Sequence, residues 1–172
     1  MKTLNLNDKR GGFIAVGYKH FNAITALSND IRKDDKPRTG IQIFIRELET
    51  RNIVITSIHQ PSEAAQFFAI EKAVRSQTLG HYSSQNSEDP DNMKFRGSVT
   101  AKIKGRAFQA STSGLTGDED TYVSVKMLAH LFRVSGVAIC LDISNHGGQL
   151  PECFTEQGHY LNMTSNLDSY WR

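Results

Sequence analysis

Phe13, Val16, Phe21, Ile24, Leu27 and Ile31 recur at spacings of mostly three to four, with no proline among them. That period predicts a helix over 13–31. It gives way to a charged linker, Arg32 to Arg38, broken by Pro37. The period then falls to two. Ile41, Ile43 and Ile45 alternate with Gln42, Phe44 and Arg46, which predicts a strand. The polar turn Glu49 to Asn52 leads to a β-branched return strand, Ile53 to Ile58, so the pair reads as an antiparallel hairpin. Pro61-Ser62 opens a second helix, with Ser62 as its cap and Gly80 as its stop. Tyr82 to Asn92, rich in Ser, Asn and Asp, reads as a flexible loop. A second hairpin spans Phe95 to Leu115, with Lys104-Gly105 at its turn. Thr116-Gly117-Asp118-Glu119 has the form of a capping box for a third helix, whose apolar stripe is Val123, Met127, Leu128, Leu131 and Phe132. Val137 to Ile143 reads as a last strand. The expectation is an α+β fold in the order helix, hairpin, helix, hairpin, helix, with a five-stranded antiparallel sheet.

The 172 residues suit one domain, taken here as 1–143, with an irregular C-terminal extension over 144–172 that carries the single tryptophan, Trp171. A formal net charge of +2 is too small to attract nucleic acid to the whole chain. No apolar run approaches the roughly 20 residues of a membrane span. Met1 to Arg10 is polar, and two cysteines are too few for a disulfide scaffold, which points to the cytoplasm and reduced thiols.

Several constellations invite chemistry. Lys94, Arg96, Lys102, Lys104 and Arg106 mark a basic face of the second hairpin, but without the aromatics that base stacking needs. The plainer alternative is the solvated side of an edge strand. Cys140, His146, Cys153 and His159 are thiol and imidazole ligand types, yet lack the tight pair spacing of a zinc site, so no metal is expected. His146-Gly147-Gly148 lacks the nucleophile elbow that would make it an oxyanion loop, and His130 sits in an apolar helical stretch where core packing is the ordinary role. Lys72 and Arg75 share a helix face, and with His81 they could clamp carboxylates; equally, they could complement the helix dipole. Phe67 and Phe68 are adjacent, so both cannot enter a narrow core stripe. With Phe44, Tyr170 and Trp171 they suggest a homo-oligomer.

The stretch Ser111-Thr112-Ser113-Gly114-Leu115-Thr116-Gly117-Asp118-Glu119-Asp120 resembles the strand-to-helix junction of GlcG/HbpS-like proteins, which include haem-binding proteins and the C-terminal domain of PduO-type proteins. Glu71-Lys72-Ala73-Val74-Arg75, followed by Leu79-Gly80-His81-Tyr82-Ser83, is similar to the middle helix of the same family. The resemblance covers Tyr18 to Arg133. It implies a profilin-like sheet flanked by helices, an oligomeric assembly, and a non-enzymatic binding protein for a small anionic ligand such as haem or another tetrapyrrole. The alternatives are an enzyme or enzyme accessory domain, which the PduO likeness suggests without any catalytic constellation, and a protein-interaction module. With both motifs converging, the expected ligand site combines Lys72, Arg75 and His81 with Thr112, Ser113 and Gly114.

Overall fold

The computed structural model describes residues 4–27, 32, 34–50 and 52–155. Helix α1 spans Arg10–Ala26, beginning earlier than the hydrophobic period suggests; of the remainder of the predicted helix, residues 28–31 lie outside the described residues. Strands β1 (Gly40–Glu47) and β2 (Ile53–His59) form the first hairpin, and helix α2 (Glu63–Leu79) follows. Ser62 caps α2 by accepting from the Ala65 amide at 3.1 Å, and Gly80 closes it in the left-handed region at φ 69°. Strands β3 (Ser98–Ile103) and β4 (Arg106–Ser113) form the second hairpin around Lys104-Gly105, where both residues have positive φ, as a tight two-residue hairpin requires. Helix α3 (Gly117–Phe132) begins in the capping box read from the sequence, with Thr116 and Glu119 satisfying each other's amides.

Among the described residues, four strands make one antiparallel sheet in the order β2-β1-β4-β3. Its two faces differ in chemistry. Ile41, Ile43 and Ile45, with Val54, Ile58, Val99 and Ala101, point toward α1 and α3 and build the apolar core with Phe13, Phe21, Tyr122 and Met127. Burying an isoleucine such as Ile43 contributes about 1.5–3 kcal/mol. The other face carries Gln42, Ser98, Thr100, Gln109 and Ser111, and α2 lies on it. The helix can approach closely because it presents Ala65, Ala69, Ala73 and Ser76. Polar groups of the sheet bond to its backbone: Ser111 Oγ donates to the Ala69 carbonyl at 2.6 Å, and Gln109 Nε2 to the Ala73 carbonyl at 3.0 Å.

The fifth strand is a correction. Gly136–Asn145 is a helix, α4, not a strand over Val137 to Ile143. Ser135 caps it through the Ala138 amide at 3.1 Å. Gly136, Ile139, Cys140 and Ile143 are buried, while Leu141 is 47% exposed. In a strand, 139, 141 and 143 would share one face; in a helix Leu141 turns away, as observed. A short apolar run does not distinguish the two by period. Of the segment 144–172, a short helix α5, Glu152–Thr155, is described, and Leu150 and Phe154 join the core. Residues 156–172, with His159, Tyr170 and Trp171, lie outside the described residues.

The edges of the sheet are both engaged. At β3, the Thr100 amide donates to the Tyr82 carbonyl and the Lys102 amide to Asp142 Oδ2. At β2, Arg10 Nη1 donates to the Ile55 carbonyl at 2.6 Å. Such cover prevents indiscriminate strand pairing. Among the described residues, no single helix is long and apolar enough to cross a membrane.

Candidate functional site

A cleft of about 810 Å³ opens where four parts of the chain meet: the linker at Arg32 to Arg38, the first half of α2, the segment Glu88 to Arg96, and the β4–α3 junction. Its size falls within the usual range for small-molecule sites. Phe68 and Phe95 form an apolar wall, their rings edge-to-face at 5.1 Å.

Lys72 lies at the floor, its side chain 1% exposed. Nζ donates to the Thr112 carbonyl at 2.8 Å and to Asp120 Oδ2 at 3.1 Å. The other Asp120 oxygen accepts the Leu115 amide at 3.0 Å. Burial pushes the Asp120 carboxyl above its ordinary value, while the Lys72 ammonium and the Leu115 amide pull it down. Room for this pair depends on Gly97. Its φ of +133° favours glycine, and an added Cβ would come within 2.7 Å of Lys72 Nζ and 2.8 Å of the Thr112 carbonyl oxygen.

The arginines of the cleft also have partners. Arg32 grips Glu119 through Nε and Nη2, each at 2.9 Å, and reaches Asp34 at 3.0 Å. Arg38 pairs with Asp34 at 2.8 Å, which holds the Asp34 carboxyl below its ordinary value. Arg96 bridges Glu88 at 2.6 Å and Asp118 at 2.8 Å; the guanidinium likewise holds Glu88 low. Lys36 is exposed, and its ammonium has no carboxylate partner among the described residues. Arg32, Arg38, Lys72 and Arg96 are therefore paired with Asp34, Glu88, Asp118, Glu119 and Asp120. The site is a network of ion pairs, not a one-signed field. A ligand would be read here by geometry and hydrogen bonds.

The structure brings Lys72, Ser113 and Gly114 to this cleft. Thr112 contributes only its carbonyl; its hydroxyl accepts from Ser124 Oγ beneath α3, on the far side of the sheet. Arg75 is committed elsewhere. Its guanidinium donates to the carbonyls of Ser84, Ser87 and Phe95 and pairs with Glu71 at 2.8 Å, pinning the segment read as a flexible loop, which contains two short 3-10 turns. His81 follows α2, away from the cleft lining; its Nδ1 is buried without a hydrogen-bond partner among the described residues. The cleft runs along the first half of α2, whereas Arg75 and His81 lie at its other end.

The basic face of the second hairpin is not continuous. Ser98 and Thr100 are buried under α2, Arg96 belongs to the cleft, and Arg106 pairs with Glu47 at 2.9 Å. Cys140 is buried in α4, and desolvation pushes its thiol up to about 12, far from the thiolate a metal would need. His146 stacks on Tyr82 at 4.3 Å, and the side chain of Cys153, like His159, lies outside the described residues. His130 packs against α1, where a Cβ on Gly12 would meet its Nε2 at 2.6 Å.

Haem does not fit this donor set as an iron-ligated group. Haem iron takes His, Cys, Met or Tyr, and among the described residues the cleft lining holds none of them. Lys72, as an ammonium paired with Asp120, has no lone pair to offer.

Sequence reading missed Arg38, Phe68 and Phe95 as cleft residues. Nothing in the sequence places these side chains side by side, since they come from the linker, a helix and a loop. No family model matches the chain, and no curated protein matches it. Among solved structures, the Klebsiella pneumoniae protein ORFY, described as a DUF336 protein, is similar with 11% identity and a TM-score of 0.44. The match covers 71% of this chain and 91% of that one. DUF336 is the GlcG-like family.

Proposed function

We propose that the protein is a non-enzymatic binding protein for a small organic anion, held in the cleft between α2 and the β4–α3 junction. The observation that carries this reading is the arrangement of the cleft itself: an aromatic wall at Phe68 and Phe95 facing ion-paired cations at Lys72 and Arg96, with Lys36 at the rim. An apolar wall with a few convergent polar groups suits a ligand that has a flat or apolar body and a carboxylate. The resemblance to GlcG/HbpS-like proteins, with its profilin-like sheet, supports the same class of function. The tetrapyrrole that fits the donor set is a metal-free one, recognised by its carboxylates.

An enzyme is the weaker reading. Among the described residues the cleft lining holds no histidine or cysteine, and its buried Lys72 and Asp120 are engaged with each other.

The test is a calorimetric and absorbance titration with protoporphyrin IX, haemin and citrate, using wild type, Lys36→Ala and Ala64→Trp. Ala64 is exposed on the cleft wall, so tryptophan there fills the cleft without entering the core. A charge-assisted hydrogen bond is worth about 1.5–3 kcal/mol, so Lys36→Ala should weaken binding roughly ten-fold or more. Ala64→Trp should abolish it. If none of the three probes binds wild type at micromolar concentration, the interaction-module reading replaces this one.

A further inference from the structure

Nine large hydrophobic side chains among the described residues are exposed, and six of them gather on one side of the molecule. They are Phe67, Ile70 and Val74 on α2, Met93 beside Phe67, and Ile53 and Ile55 on β2. Their common placement follows from the register. Arg46 Nη2 donates to the Ala73 carbonyl, so the face of β1 that holds Phe44 and Arg46 is the one α2 covers. Ile55 is directly opposite Phe44, and Ile53 opposite Arg46, so both isoleucines share that face. The helix lies over β1, β4 and β3, leaving the β2 end of the face open. At about 100° per residue, Phe68 and Arg75 fall on one flank of α2 and Ile70 and Val74 on the other. Phe68 and Arg75 turn toward Phe95 and the segment beside β3, so Ile70 and Val74 turn toward β2.

We infer that this face is the interface of a two-fold homodimer, in which α2 packs antiparallel against α2 of a second copy. The spacing of the stripe is nearly symmetric about Ile70, with Phe67 three residues before it and Val74 four after. An antiparallel pair centred on Ile70 sets Ile70 against Ile70 and brings Phe67 of each copy to within one residue of Val74 of the other. This is the self-complementary pattern that a closed two-fold contact requires. The antiparallel direction also avoids a like-charge contact. Glu63, seven residues before Ile70, meets Gln77, seven after it, whereas a parallel pair would set Glu63 against Glu63. The α2 helix is about 25 Å long, and with the open strip of β2 the face is about 20 Å wide. Two copies would then bury on the order of 1,000 Å², where specific interfaces begin. Phe67 is 62% exposed and Met93 60% exposed in the single chain, and this contact covers both. The inference does not rest on the ligand proposed for the cleft.

Light scattering on the full chain reads the result. Wild type should give twice the 19.2 kDa chain mass at micromolar concentration, and Ile70→Glu should give 19.2 kDa with unchanged far-UV circular dichroism. Val74→Glu should do the same, which keeps the test open if Ile70→Glu misfolds. Leu141→Glu, on α4 away from this face and 47% exposed, should remain dimeric. A wild-type mass of 19.2 kDa overturns the inference. So does a dimer that survives both glutamate substitutions.

Discussion

Lys72 and Asp120, 48 positions apart, meet as a buried ion pair with Nζ 3.1 Å from Oδ2. The pair ties α2 to the first turn of α3, and the Thr112 carbonyl ties it to β4. Taking both charges out of water is costly, so the contribution of the intact pair is small, but breaking it leaves a bare charge inside. Lys72→Met should therefore cost roughly 3–5 kcal/mol. Adding Asp120→Leu should restore part of that loss. Urea unfolding of the two single variants and the double variant measures the coupling. Independent, additive effects would show that the two groups do not form a unit.

Gly97 should be far less tolerant than Gly105. An alanine at Gly97 meets Lys72 Nζ, the Thr112 carbonyl and Asp120 Cβ, all within 3 Å, at a φ of +133°. Among the described residues, an alanine at Gly105 meets nothing within 4 Å and keeps only the backbone cost of φ +77°. Gly105→Ala should cost about 1–2 kcal/mol, and Gly97→Ala clearly more. Equal shifts in denaturation midpoint would argue against the packing described at the cleft floor.

The helical assignment of α4 makes its own forecast. Ile139→Ala should cost about 2–5 kcal/mol, because Ile139 is fully buried. Leu141→Lys should stay within about 0.5 kcal/mol, as an exposed substitution does. A strand would put both residues on one face and make both changes costly or both cheap. Thermal melts of the two variants decide between them.

Acid should loosen the cleft rim. Arg38 holds Asp34, and Arg96 holds Glu88, below ordinary values of 3.8 and 4.5. A carboxyl whose folded value is depressed adds stability above its unfolded value, and that stability is lost as pH falls through the folded value. Asp120 has the opposite sign, since burial raises it, and its contribution fades as pH rises. Glu88→Gln should thus lower stability by about 0.5–1 kcal/mol near neutral pH, given the partial exposure of its pair. The difference from wild type should vanish in strong acid. A gap independent of pH would assign the effect to packing instead.

What the sequence determined by itself is the part governed by neighbours in the chain. Alternation from Ile41 to Ile45 set the first hairpin, and Lys104-Gly105 set the turn of the second. Ser62 and the Thr116–Glu119 box fixed two helix starts, because a cap bonds to amides only three residues away. Only the tertiary structure decided between helix and strand at Val137 to Ile143, where a short apolar run serves both and the outcome depended on burying Ile139, Cys140 and Ile143 together. It also decided which basic residues share a site. Lys72 and Arg75 lie three apart on one helix, yet Lys72 reaches inward to Asp120 while Arg75 turns aside to hold Ser87 and Phe95. The partners that separate them come from distant segments, and spacing along one helix carries no information about those.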